Sequence, residues 1–157
     1  PTKKADRCVF TLTGKGSNQK VLEEDQQLLD TLLQNYDEVN FWIQGDLDFG
    51  YLKRMKNIEN INIIPPSIEV YDRLLSEENL DYVGTRLHGG VYAMRHGKRA
   101  IIIAIDERAT EINKRNNLNC ITQKDIESKL EKMIQSEFVT EIKMPFDAIK
   151  QWKEQFF

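Results

Sequence analysis

Short apolar runs alternate with helix-period segments along this chain. Residues 7–13 (RCVFTLT) are rich in β-forming types and predict a first strand. The next apolar positions, Val21, Leu22, Leu28, Leu29, Leu32, Leu33 and Tyr36, recur at helical spacing and predict a helix over 21–36. Residues 39–43 predict a second strand, in which Phe41 and Trp42 alternate and send one ring to each face of a sheet. Residues 45–50 read as a loop and 51–55 as a short helix. A third strand over 61–64 ends at Pro65-Pro66, which can neither continue a ladder nor enter a helix interior. Ser67 then suits the N-cap of a helix over 68–78, with Ile68, Val70, Tyr71, Leu74 and Leu75 on its apolar face.

The second half follows the same rhythm. Residues 82–84 predict strand four, a turn TRLHGG follows, and a helix runs over 90–96 before strand five at 100–105. A polar helix is expected over 106–117 and a strand stub at 119–121. Thr122, with Asp125 three residues on, resembles a cap that opens a helix to about Gln135. After Met144-Pro145, residues 146–157 predict a last amphipathic helix bearing Phe146, Ile149, Trp152, Phe156 and Phe157. Strands alternate with helices and no Asn-Gly hairpin signal occurs. The expectation is an α/β fold: a three-layer α/β/α domain spanning 1–157, with an open, mainly parallel, Rossmann-like sheet of five to six strands.

Composition narrows the class. A chain of 157 residues suits one hydrophobic core, and 40% hydrophobic with 30% charged residues is the globular range. The net charge of −3 argues against a nucleic-acid binder. No apolar run approaches the roughly 20 residues of a membrane span. The opening PTKKADR does not resemble a signal peptide, and two distant cysteines that form no disulfide framework make a reducing cytoplasm the expected location. Cys8 and Cys120 lie too far apart for a CxxC knuckle, and His88 and His96 are the only imidazoles, so no metal is expected.

In an open α/β sheet, ligands bind beyond the carboxyl ends of the strands. Those ends hold Lys15, Arg86, His88 and Arg108 as cations or donors, and Asp46, Asp48, Asp106 and Glu107 as acids. A strand that ends in a cationic, glycine-rich turn and opens into a helix offers unpaired N–H groups and a favourable dipole to an anion. Arg86 can grip phosphate or carboxylate with two parallel bonds. Gly89 and Gly90 allow a ligand to approach the backbone closely. The structural alternatives are a surface carboxylate pairing with Arg86, and a capping or packing role for His88. His96, near a helix C-terminus, reads as structural. Gly14-Lys15-Gly16 lacks the third glycine of a dinucleotide fingerprint, since position 19 is Gln, and GxxxxGK[ST] does not fit. The basic run 53–56 reads as a solvated face.

The stretch DYVGTRLHGGVYAMRHGKRAIIIAIDERATEI resembles the polysaccharide pyruvyl transferase family. The resemblance rests on RLHG after a buried strand, the following helix, the Gly-Lys-Arg-Ala turn into an apolar strand, and an Asp followed by a basic residue. Members have the two-domain architecture of GT-B glycosyltransferases, and this chain resembles the C-terminal Rossmann-like half. The resemblance implies transfer of a pyruvyl group from phosphoenolpyruvate to a sugar of a cell-surface polysaccharide or glycoconjugate, with no further cofactor. It implies that Arg86 and His88 are catalytic and face phosphoenolpyruvate. Leu87, Gly89 and Gly90 shape the turn, while Lys15 and Arg108 are the further basic candidates. The sugar-binding half would then come from a further N-terminal domain or a second copy. Two alternatives compete: a GT-B glycosyltransferase domain that binds a nucleotide sugar, and a non-catalytic flavodoxin-like binding module.

Overall fold

The computed structural model describes residues 1–14, 19–107, 110, 111, 114 and 118–141. Six strands form its sheet: β1 (Arg7–Thr11), β2 (Glu38–Trp42), β3 (Asn62–Ile64), β4 (Leu80–Gly84), β5 (Ala100–Ala104) and β6 (Cys120–Thr122). They lie in the order β3-β2-β1-β4-β5-β6, and every neighbouring pair is parallel. The helices described are α1 (Glu23–Asn35), α2 (Asp46–Leu52), α3 (Ile68–Glu77), α4 (Leu87–Arg95) and α5 (Glu131–Gln135). This is the Rossmann-like α/β/α arrangement that the alternating pattern predicts.

Alternation along each strand builds a core on both faces of the sheet. On one face, Phe10, Phe41, Val83, Ile101 and Ile103 pack with Leu28, Leu29 and Leu32 of α1 and with Ile126, Leu130 and Ile134. Each of the three α1 leucines is fully buried, which removes apolar surface worth about 1.5–3 kcal/mol per side chain. On the other face, Val9, Trp42, Tyr82 and Ile102 meet Tyr71 and Leu75 of α3 and Ala93 of α4. Phe41 and Trp42 thus divide between the two layers as their alternation predicts.

Several boundaries differ from the expected ones. Residues 45–50, expected as a loop, begin a helix, and the short helix expected over 51–55 ends at Leu52. Gly45 is the N-cap of α2, and the Asp48 carboxylate reaches back to accept the Gly45 N–H at 2.9 Å. That local bond stabilises a first turn lacking any apolar periodicity. Ser67 does cap α3: its Oγ accepts the Val70 N–H at 3.3 Å. Helix α4 starts at Leu87, three residues before its expected start, so RLHGG opens the helix instead of forming a separate turn. The helix expected from Thr122 to Gln135 begins as a 3₁₀ turn (Gln123–Asp125) and a π-helical turn (Ile126–Leu130) before α5. The Thr122 hydroxyl donates to Asp125 at 2.9 Å. Most of the polar helix expected over 106–117, together with the last helix at 146–157, falls outside the described residues.

At the amino end of the strands, a buried charge cluster ties the layers together. The Arg99 guanidinium, 0% exposed, donates from Nη1 to Asp81 Oδ2 at 2.6 Å. Its Nη2 donates to the carbonyls of Ile134 (2.7 Å), Ser136 (2.8 Å) and Met133 (3.1 Å) at the end of α5. Asp81 also accepts the Tyr36 hydroxyl at 2.8 Å and the Ala5 N–H at 3.4 Å. Arg99 therefore ends a helix whose last carbonyls would otherwise lack donors. No described helix is long and apolar enough to cross a membrane.

Candidate functional site

The strand order reverses between β1 and β4: the chain leaves β1 toward β2 on one side and β4 toward β5 on the other. Such a switch point opens a crevice beyond the carboxyl ends of the two strands. Thr13 and Gly14 follow β1, Gln44 and Gly45 follow β2, and Thr85 and Arg86 follow β4. The Thr13 and Thr85 hydroxyl oxygens lie 3.0 Å apart across the gap.

A closed ring of hydrogen bonds fixes the backbone at Arg86. The Tyr82 hydroxyl donates to the Arg86 carbonyl at 2.6 Å. It must then accept from the Thr11 hydroxyl, 2.6 Å away, while Thr11 Oγ1 accepts the Arg86 N–H at 3.3 Å. Burial pushes the Tyr82 hydroxyl well above its ordinary pKa, so it stays a neutral donor. Every polar atom in that ring is paired within the protein, so the turn is rigid before any ligand arrives.

The Arg86 side chain is gripped at two points. Its Nε donates to the Leu12 carbonyl at 3.3 Å and its Nη2 to Asp48 Oδ1 at 2.7 Å. The carboxylate that pairs with Arg86 is thus a buried one, 1% exposed, and not the surface acid that sequence offers as an alternative. Arg86 itself is 33% exposed, and its Nη1 has no partner among the described residues. Arg86 is the N-cap of α4, whose first turn carries no acid and whose Gly90 N–H makes the first helical bond, to Arg86 O at 3.2 Å. The N–H groups of Leu87, His88 and Gly89 precede that bond, as in any helix start. His88 is exposed in this turn and has no hydrogen-bond partner among the described residues. It is neither a capping nor a packing residue.

Leu87 is half-buried and packs on the α3/α4 face. Gly89 and Gly90 are both buried, and they serve helix–sheet contact. A Cβ on Gly90 would stand 2.3 Å from Ile102 Cδ1 and 2.8 Å from Tyr82 Cε1, and one on Gly89 3.3 Å from the Tyr82 hydroxyl. Lys15 and Arg108, the remaining basic candidates, lie outside the described residues. Asp46 is exposed on α2. Asp106 and Glu107 line a separate cavity of about 540 Å³ with Lys114 and Lys124 at the ends of β5 and β6. The other histidine, His96, approaches Asp72 at 2.9 Å and the Tyr92 carbonyl at 3.0 Å, which links α4 to α3. No group of three or more His, Cys, Asp or Glu side chains among the described residues is arranged to hold a metal.

Asp48, one of the acids expected at the strand ends, takes a definite partner only in three dimensions, and Gln44 gains importance only there. Asp48 reaches the crevice from α2, and Gln44 Oε1 is buried there without a partner among the described residues, 3.4 Å from where a Gly89 Cβ would stand. The Gly45-x-x-Asp48 spacing was the available signal for the first, as a cap with an acid three residues on. Nothing local marks Gln44. Compared with models of protein families and with curated proteins, the chain finds no family match and no significant relative.

Proposed function

We propose that this crevice is the donor half-site of a pyruvyl transferase, binding phosphoenolpyruvate between the start of α4 and the end of β1. The observation that carries the reading is the Arg86–His88 pair. Arg86 is a guanidinium already fixed on one edge and open on the other, two residues from an exposed histidine at a helix N-terminus that has no partner among the described residues. Phosphoenolpyruvate carries a phosphate and a carboxylate, and a planar fork of N–H groups beside a helix N-terminus suits such oxyanions. The residues Tyr82-Val83-Gly84-Thr85-Arg86-Leu87-His88-Gly89 also carry the family resemblance.

The chemistry assigns complementary roles to the two side chains. A proton is added to the methylene carbon of the donor, and the first sugar hydroxyl adds at the neighbouring carbon. The carbon–oxygen bond to phosphate then breaks, and the second hydroxyl closes the ketal. Of the two hydroxyl protons released, one replaces the proton given to carbon and the other leaves with phosphate. An imidazole, which can both take up and give back a proton, suits this exchange, which assigns it to His88. Arg86 stabilises the phosphate as negative charge develops on its bridging oxygen. The sugar-binding half of the cleft comes from a further domain or a second copy of the chain. The donor is a cytoplasmic metabolite, in keeping with the expected location.

A thermal-shift titration tests the reading. Phosphoenolpyruvate raises the melting temperature of the wild type and, at the same concentration, far less that of Arg86→Ala, whereas UDP- and GDP-sugars leave both unchanged. Stabilisation by a nucleotide sugar but not by phosphoenolpyruvate would instead favour the glycosyltransferase alternative.

A further inference from the structure

We infer that Asp48 is the positioning residue of this crevice, acting on a bound oxyanion through Arg86 and not by touching it. The inference rests on the donor-site reading above for its ligand, while the geometry behind it is independent of ligand identity. Asp48 is 1% exposed, and its two carboxylate oxygens collect donors from three separate segments. Oδ1 accepts the Gly14 N–H at 3.0 Å and Arg86 Nη2 at 2.7 Å. Oδ2 accepts the Gly45 N–H at 2.9 Å and the Gln44 N–H at 3.2 Å.

An ionised carboxylate has about four lone-pair sites, and four donors occupy them here. Asp48 is therefore saturated by the protein and has no capacity left for a ligand. What it controls is the plane of the Arg86 guanidinium, since Nε on Leu12 O and Nη2 on Asp48 fix two of its three nitrogens. The remaining Nη1 edge is the one left to a ligand. Close packing enforces the arrangement: a Cβ on Gly14 would meet the Leu47 carbonyl at 2.6 Å, so α2 lies directly against the segment after β1. The pair also offsets the Arg86 charge. The crevice consequently selects by the direction of its N–H groups more than by net charge, which favours carboxylates and phosphates that offer two oxygens side by side over single-point anions.

The test combines a ligand readout with one that needs no ligand. Affinity for phosphoenolpyruvate is measured in the wild type, Asp48→Asn, Arg86→Ala and the double variant. Loss of a charge-assisted bond predicts that Asp48→Asn weakens binding roughly tenfold or more in the wild-type background. In the Arg86→Ala background its effect should fall to within about twofold, because a residue that acts only through Arg86 has nothing left to act on. An equal loss in both backgrounds, or a lower melting temperature with unchanged affinity, overturns the proposal in favour of a purely structural cap. Nitrogen-resolved NMR of the wild-type guanidinium provides the second readout, free of any folding defect in the variants. Hindered rotation about Nε–Cζ of Arg86 supports the proposal, and free rotation overturns it. If rotation is hindered and phosphoenolpyruvate does not bind, Asp48 keeps its positioning role and only the donor-site reading fails.

Discussion

Replacing Arg99 by methionine tests the buried charge cluster most directly. Methionine retains much of the aliphatic volume and removes the guanidinium. Asp81, 2% exposed, then loses its 2.6 Å partner, and the carbonyls of Met133, Ile134 and Ser136 lose their shared donor. Removing one member of a buried ion pair costs about 3–5 kcal/mol. The Tyr36 hydroxyl and Ala5 N–H remain on Asp81, which moves the expected loss toward the lower end of that range. Against a total stability of about 5–15 kcal/mol, such a loss is large.

The pH dependence sharpens this test. Burial pushes the Asp81 carboxyl above its ordinary value of 3.8, while the Tyr36 hydroxyl and Arg99 oppose the shift. With a raised folded-state pKa, the native protein binds the proton more tightly than the unfolded chain. Stability is then lost as pH rises through the folded pKa, in a window that opens above 3.8. Without Arg99 the shift grows, so the deficit of Arg99→Met should be greatest near pH 7 and narrow toward about pH 5. Urea unfolding followed by circular dichroism at both pH values measures it. Adding Asp81→Asn to the variant should recover part of the loss at pH 7. A deficit below about 1 kcal/mol, the value of an exposed ion pair, would refute the reasoning.

Three further substitutions test the same structure. Gly90→Ala should destabilise by about 1–3 kcal/mol in urea unfolding, because Ile102 can rotate away from the new methyl but the Tyr82 ring, held through its hydroxyl, cannot. His88→Ala should unfold within about 0.5 kcal/mol of the wild type, since the side chain is exposed and unpartnered among the described residues. On the donor-site proposal, the same variant should lower pyruvyl transfer by roughly 10²–10⁴-fold. Ser67→Ala should cost about 1 kcal/mol through loss of the Val70 N–H bond, read by thermal melting.

The sheet was legible in the sequence because its signals are local. Buried parallel strands such as Ala100–Ala104 are continuous apolar runs, and the leucines of α1 repeat at helical spacing. Helix α2 was missed because its evidence is a capping bond, and because Gly45 and Gly50 imitate a loop. Arg86 and His88 were singled out as candidates through their place after a strand. Asp48 lies 38 residues from Arg86, and no local period links them; their contact exists only because parallel crossovers bring three strand ends together. Gly89 and Gly90 show the converse. Their glycine identity suggested ligand approach, whereas the fold uses it to seat α4 on Tyr82 and Ile102.

The stacking of aromatic rings behind the crevice also makes the molecule its own optical probe. The Trp42 indole stacks on the Tyr71 ring, centroids 3.7 Å apart and planes nearly parallel, and donates from its ring N–H to the Pro65 carbonyl at 3.1 Å. The Tyr71 hydroxyl in turn donates to the Gly89 carbonyl at 2.9 Å, in the first turn of α4. Any shift of that turn is passed through one phenol ring to an indole shielded from water. Emission from Trp42, isolated by a Trp152→Phe substitution, thus reports events at Arg86 and His88 without an attached dye.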